Sequence, residues 1–270
     1  MTDCTHDCSS CGQSCPSRNK PKKLPKDTGK GIIKKVYAVV SGKGGVGKST
    51  VSATLASTAS KMGRKVALLD ADITGPSIPK LFGVHQRADA VADGILPIEV
   101  EGVKIMSTNL LLETETSPVV WRGPILGNVV QQFWNDVYWG DVDVMFIDMP
   151  PGTGDVPLTV YQNLPIDGII IVSTPQQLVS MIVQKAVEMA KLMDIEIVGL
   201  VENMSYMNCP NCDEKLYLFG ESQLAKTAND LQVFNAVQLP FDTNVARLCD
   251  EGKAFEVERE QLVELLEGLL

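Results

Sequence analysis

A chain of 270 residues, 44% hydrophobic and 21% charged, is long enough to bury a large core as one α/β domain with a tail, and no apolar run approaches the length of a membrane span. The net charge of −9 conceals an asymmetry: Arg18 to Lys35 holds eight basic residues against the single acid Asp27, and removing that +7 leaves −16 on the rest. So acidic a body argues against non-specific DNA binding, which draws its free energy from phosphate neutralisation, and neither a nucleic-acid nor a membrane partner is expected. The opening MTDCTHDCSS lacks the basic start and apolar stretch of a signal peptide, so a cytoplasmic location is expected. Thiols stay reduced there, and seven cysteines, six of them in two tight clusters, read as metal ligands rather than disulfides.

Residues 1–35 carry Cys4, Cys8, Cys11 and Cys15, then Pro16, Pro21, Pro25, Gly29 and Gly31 among many lysines, without helical or strand period. They read as a flexible Cys-rich extension and a solvated basic linker. The spacing C-x3-C-x2-C-x3-C lets four thiolates wrap one metal centre, because such short loops cost little closure entropy. Cys8 to Pro16 echoes part of a ferredoxin signature, C-x2-C-x3-C-P, which favours a [4Fe-4S] cluster. Zinc, with His6 as a substitute ligand, and a redox-labile tail stay open.

Residues 36–270 form the second unit. Short β-branched runs at Val36 to Val40, Val66 to Leu69, Val103 to Met106, Val142 to Ile147, Gly168 to Val172, Glu196 to Val201 and Ala236 to Leu239 suit strands buried on both faces of a mostly parallel twisted sheet. Helices are expected between them, over Ser49 to Lys61, Ile125 to Val137, Leu178 to Met193 and Ser222 to Asn229, covering both faces in an α/β fold. Trp121, Trp134 and Trp139, with Phe133 and Tyr138, read as helix-packing or dimer-surface residues, Cys249 as a small buried hydrophobe and His85 as a surface residue. The last stretch, Glu258 to Leu270, is amphipathic but acidic. A membrane anchor would want Lys or Arg on its polar face, so a packing or exposed helix is expected.

The first run leads into Gly42-Lys43-Gly44-Gly45-Val46-Gly47-Lys48-Ser49-Thr50, which satisfies G-x-x-x-x-G-K-[ST] in the strand-to-helix setting that the P-loop motif needs. Glycines let the backbone curl so that successive N–H groups converge on phosphate oxygens, and the following helix adds its positive dipole end. Lys48 is expected to reach the β and γ phosphates of ATP, and the Ser49 hydroxyl to ligate Mg²⁺. Two acidic stretches follow at strand ends: Asp70-Ala71-Asp72-Ile73-Thr74-Gly75-Pro76-Ser77 and Asp148-Met149-Pro150-Pro151-Gly152-Thr153-Gly154-Asp155. An aspartate ending a hydrophobic strand is well placed to support Mg²⁺, the role expected of Asp148. Asp70 reads as structural, with a Mg²⁺ contact left open.

Past Val201 the chain runs Glu202-Asn203-Met204-Ser205-Tyr206-Met207-Asn208-Cys209-Pro210-Asn211-Cys212. Cys-x-x-Cys puts two thiolates within reach of one centre, and on the residues alone a redox dithiol and a zinc site remain alternatives to an iron-sulfur cluster. Together with Lys43, the Asp70 to Ser77 stretch and the Pro-Pro-Gly-Thr-Gly-Asp loop, this segment resembles the Mrp/ApbC iron-sulfur cluster carriers and their nucleotide-binding-protein branch. These carriers sit in the deviant P-loop family with MinD, ParA and the nitrogenase iron protein, and the resemblance covers most of Val36 to about Lys253. It implies a nucleotide-sandwich homodimer in which Lys43 reaches across to the partner's nucleotide and Asp72 orients or activates the attacking water. Asn203 would read the purine, with Pro240 flanking the base, and Pro150 to Asp155 would sense the γ phosphate. Cys209 and Cys212 of each subunit would jointly hold a [4Fe-4S] cluster on the dimer axis. Slow ATP hydrolysis and delivery of the cluster to apo iron-sulfur proteins follow from the same resemblance. Two rivals share the loop: a positioning ATPase acting on membrane or DNA, which needs a basic surface, and an ATP-driven iron-sulfur reductase, whose ligands come from well-separated positions.

Overall fold

The computed structural model describes residues 24–73, 75–112, 123–152, 154–176, 181–212 and 214–270. Cys4, Cys8, Cys11 and Cys15, with the metal-binding extension read from them, lie outside these residues, as does Trp121. The N-terminal half comprises β1 (Ile33–Ser41), α1 (Lys48–Lys61), β2 (Val66–Asp70), α2 (Ile78–Leu81), β3 (Ala90–Val91), β4 (Gly94–Ile95), β5 (Ile98–Val100), β6 (Val103–Met106) and α3 (Gly123–Asp136). Next come β7 (Val142–Asp148), α4 (Asp155–Asn163), β8 (Gly168–Ser173), α5 (Met181–Leu192) and β9 (Ile197–Glu202). The chain finishes with β10 (Met207–Asn208), β11 (Lys215–Leu216), α6 (Leu224–Leu231), β12 (Ala236–Gln238), α7 (Thr243–Asp250) and α8 (Glu260–Glu267).

Every apolar run singled out in the sequence becomes a strand of one sheet, in the order β12-β9-β8-β1-β7-β2-β6-β5. All neighbours pair parallel except β5, which closes one edge antiparallel to β6. The central strands β1, β7 and β8 are buried nearly throughout, as continuous apolar runs covered on both faces must be. Helix α1 is buried along most of its length despite its many hydroxyl residues. Two of its inward hydroxyls donate back to their own helix, Thr54 to Thr50 O at 2.8 Å and Ser57 to Ala53 O at 2.9 Å, so neither donor is stranded in the core. At the far end, α8 buries Leu262, Leu265 and Leu266 against α1 and β12 while Glu260, Glu264 and Glu267 face outward. Among the described residues no helix is long and apolar enough to cross a membrane.

The basic stretch departs from its reading as solvated linker. Lys26 Nζ lies 2.6 Å from Asp167, Lys30 Nζ 3.3 Å from Asp93 and Lys34 Nζ 2.7 Å from Asp143. Ile33 is fully buried, and a side chain on Gly31 would strike the Gly140 backbone at 2.0 Å. Residues 26–35 are therefore fastened along the sheet by acids distant in sequence.

Candidate nucleotide site and cysteine hairpin

Strand register brings the acidic motifs together. Asp148 at the end of β7 stands opposite Val39 of β1 and Asp70 of β2, directly beneath the loop that leaves β1. That loop turns through Gly45 and Gly47 at φ of +83° and +81°, a region that costs a side chain about 1–3 kcal/mol, and α1 starts at Lys48.

Lys48 and Asp148 pair under the loop, Nζ to Oδ1 at 2.7 Å, with the two side chains 6% and 0% exposed. Ser49 Oγ donates to Asp148 Oδ2 at 2.6 Å and Ser52 Oγ to Oδ1 at 2.6 Å. One ammonium and two hydroxyls thus compensate a carboxylate that water cannot reach. Ser52 escaped the sequence reading. Its signal was spacing: four residues after Lys48, it lies on the same helix face.

Asp70 is also fully buried, and its carboxylate accepts the N–H groups of Asp72 at 3.2 Å, Ser77 at 3.1 Å and Ile78 at 3.2 Å, and the Ser107 hydroxyl at 3.1 Å. Burial, then the Asp148 charge, pushes its pKa up to about 8, against the pull of Lys48. Asp70 therefore organises the loop from 70 to 78, and Asp72 rides on that loop, half-buried, its carbonyl accepting Gly75 N–H at 3.1 Å. The stretch after Asp148 is tied to β1, Met149 N–H to Val39 O at 3.1 Å and Gly152 N–H to Ser41 O at 2.9 Å.

Asn203, just past β9, meets the loop directly: its Nδ2 donates to Val46 O at 2.9 Å, and its own N–H donates to Ser173 O at 2.7 Å. Pro240 is held beside this segment, since Ser205 N–H donates to Leu239 O at 2.9 Å and Phe241 N–H to Tyr206 O at 2.7 Å. The structure therefore gathers Gly42 to Thr50, Asp148, Asn203 and Pro240 at one end of the sheet. Lys43 stands exposed at the loop surface without an ion pair among the described residues. The packing at Gly47 is tight: an added Cβ would lie 2.3 Å from Asn203 Nδ2. Gly47→Ala is expected to destabilise the protein by about 1–3 kcal/mol through its backbone conformation, with Asn203 displaced from the loop. Thermal melting of the variant checks the effect.

Cys209 and Cys212 occupy a different place, the turn between β10 and β11, closed by Cys209 N–H donating to Glu214 O at 3.0 Å. Cys212 is exposed and Cys209 half-buried. The Asn211 N–H, then the Cys212 thiol and N–H, hydrogen bond to Cys209 and lower its pKa, favouring the thiolate. Among the described residues no group of three or more His, Cys, Asp or Glu is placed to hold a metal ion. The turn presents two thiols, half of what a tetrahedral metal or a [4Fe-4S] cluster takes. Cys249 is buried on α7, and burial raises its pKa.

A phosphate-loop motif placed after the central strand of a mostly parallel sheet, with acidic strand ends beneath it, makes this a P-loop NTPase in architecture. A family model described as ParA, NUBPL iron-transfer P-loop NTPase, matches residues 32–267, and the chain belongs to that family. The iron-sulfur cluster carrier protein of Clostridium perfringens is 44% identical over 268 residues, covering 92% of this chain and 93% of the relative. The mitochondrial iron-sulfur protein required for NADH dehydrogenase of Arabidopsis thaliana is 40% identical over 222 residues, 82% of this chain and 71% of its own. Among solved structures, the Archaeoglobus fulgidus nucleotide-binding protein in complex with ADP superposes with a TM-score of 0.78 at 40% identity, covering 89% of this chain and 96% of that one. MinD of Pyrococcus horikoshii, complexed with Mg-ADP, shares the fold at a TM-score of 0.56 and 22% identity, over 87% of this chain and 96% of its own.

Proposed function

We propose that two copies of this chain bind MgATP and share one [4Fe-4S] cluster between their cysteine hairpins, passing it to apo iron-sulfur proteins of the cytoplasm as ATP is hydrolysed. The observation that carries the reading is the thiol pair. Cys209 and Cys212 stand on an exposed turn, with Cys209 hydrogen-bonded toward its thiolate, and offer two of the four ligands that the cluster requires. A second copy supplies the other two.

At the nucleotide, Lys48 would exchange Asp148 for β and γ phosphate oxygens, and Asp148 with Ser49, now hydrogen-bonded to each other, would hold the Mg²⁺ that neutralises phosphate charge. Water oriented by Asp72 attacks the γ phosphorus. The bond to the bridging oxygen breaks, and ADP leaves with that electron pair. Lys43 of the other copy steadies the charge that develops on the transferred phosphoryl. Asn203 and Pro240 hold the purine, and because Asn203 sits on the segment that leads into the cysteine turn, a change at the phosphate loop has a short covalent route to the cluster ligands. Cys4, Cys8, Cys11 and Cys15, within an extension spanning 1–35, are assigned a further [4Fe-4S] cluster, with zinc as the alternative.

The test is anaerobic reconstitution of wild type and a Cys209→Ala, Cys212→Ala double variant, with iron counted and then offered to an apo-ferredoxin. The variant should hold about four fewer irons per dimer and deliver none of the remainder at the wild-type rate. Equal transferable iron in both proteins removes this pair from the mechanism.

A further inference from the structure

Strand β12 ends the sheet, and among the described residues no strand pairs with its outer edge. Leu200 N–H donates to Asn235 O and Leu239 N–H to Glu202 O, each at 2.9 Å, so by strand alternation Val237 faces β9. Ala236 and Gln238 consequently turn their N–H and C=O groups away from the sheet, and among the described residues no backbone bond closes on them. These groups line a 540 Å³ groove, walled by Ser222, Leu224 and Ala225 on one side and by Gln261 and Glu264 of α8 on the other, with Tyr206 at its end. Unpaired strand edges template the addition of another strand.

We propose that this groove binds an extended basic segment of the cluster acceptor, added to β12 as a further strand. The charge argues for the occupant. Glu264 lines the groove, Glu260 and Glu267 are exposed on the same helix, and the lining contains no Lys or Arg. On the neighbouring strand Glu202 is fully buried; its Oε1 accepts from Ser205 and from Gln238, while Oε2 has no partner among the described residues. At the entrance to β12, Phe234 is 98% exposed, an apolar anchor of the kind that protein interfaces cover. At the other end, Tyr206 leads within three residues into Cys209 and stacks under Lys215 at 4.0 Å, so a segment seated here sits beside the cluster ligands. The acceptor as occupant rests on the carrier reading above; the groove itself does not.

The probe is a synthetic octapeptide of alternating lysine and valine, with a glutamate-valine peptide as control, added to the full-length chain. Hydrogen exchange of the Ala236 and Gln238 amides is read alongside affinity. The lysine peptide should slow exchange at both amides at least tenfold, the glutamate peptide should not, and a Glu264→Lys, Glu267→Lys variant should bind the lysine peptide at least tenfold more weakly with ATPase unchanged. Ala236→Pro, which removes an outward N–H from an edge strand where proline is tolerated, should also lose the protection. Binding without protection at these amides, or equal affinity in the charge-reversed variant, overturns the proposal. Protection by the peptide in a chain that never carries iron would spare the groove and sink the carrier reading. Iron transfer without protection would do the reverse.

Discussion

Lys48→Ala is expected to abolish nucleotide binding and, separately, to cost the nucleotide-free protein about 3–5 kcal/mol, because it strips the cation from a carboxylate held at 0% exposure. For a chain of this size that corresponds to a fall in melting temperature on the order of 10 °C. The two hydroxyls from Ser49 and Ser52 soften the loss but carry no charge. A Lys48→Met, Asp148→Asn double variant removes both charges together, and its melting temperature should return most of the way to wild type while nucleotide binding stays lost. The pattern separates the two duties of the lysine, since phosphate recognition depends on the ammonium alone and stability depends on the pair. A Lys48→Ala protein that melts within a degree or two of wild type would mean that the pair contributes nothing to the nucleotide-free fold.

The same pair shows what could be read in advance. Lys48, Ser49 and Asp148 announce themselves by motif, because phosphate and Mg²⁺ chemistry needs those residue types after those strands. Ser52 does not, because a serine inside a helix is ordinary until the strand that faces it is known. The strands were legible for a physical reason: β1, β2, β7, β8 and β9 are buried runs, and burial on both faces writes itself as unbroken Val, Ile and Leu. Where only two residues pair, as in β10 with β11, there is no alternation to detect, so the cysteines could be singled out but the hairpin that presents them could not. Helix α4 hid behind Pro157, which is tolerated because it falls in the first turn, where no intrahelical donor is needed. Helix α7 carries a signal that passed unused, Asp242 at its N-cap accepting Asn244 N–H at 2.8 Å. The basic stretch misled for a different reason. Lys26 reads as solvated because Asp167, its partner, lies 141 residues away, and no local pattern reports a contact made by the finished fold.

The proposed dimer admits a sharp test through Lys43, which stands exposed at the loop surface without an ion pair among the described residues. Lys43→Ala and Asp72→Ala are each expected to lower ATP turnover by about 10²–10³-fold, the scale of removing one group that stabilises or orients the transition state. Mixed and re-associated, the two variants should recover. Half of the resulting dimers pair one variant with the other, and in each of these one nucleotide meets an intact Asp72 from its own chain and an intact Lys43 from the opposite chain. The second site of the same dimer lacks both. With random pairing the mixture should therefore reach about a quarter of wild-type turnover. If Lys43 served the nucleotide of its own chain, every site in the mixture would lack one group or the other, and turnover would stay at the level of the separate variants. Because each chain contributes a different missing part, recovery cannot come from unfolded or monomeric protein, and a flat result would confine Lys43 to its own subunit.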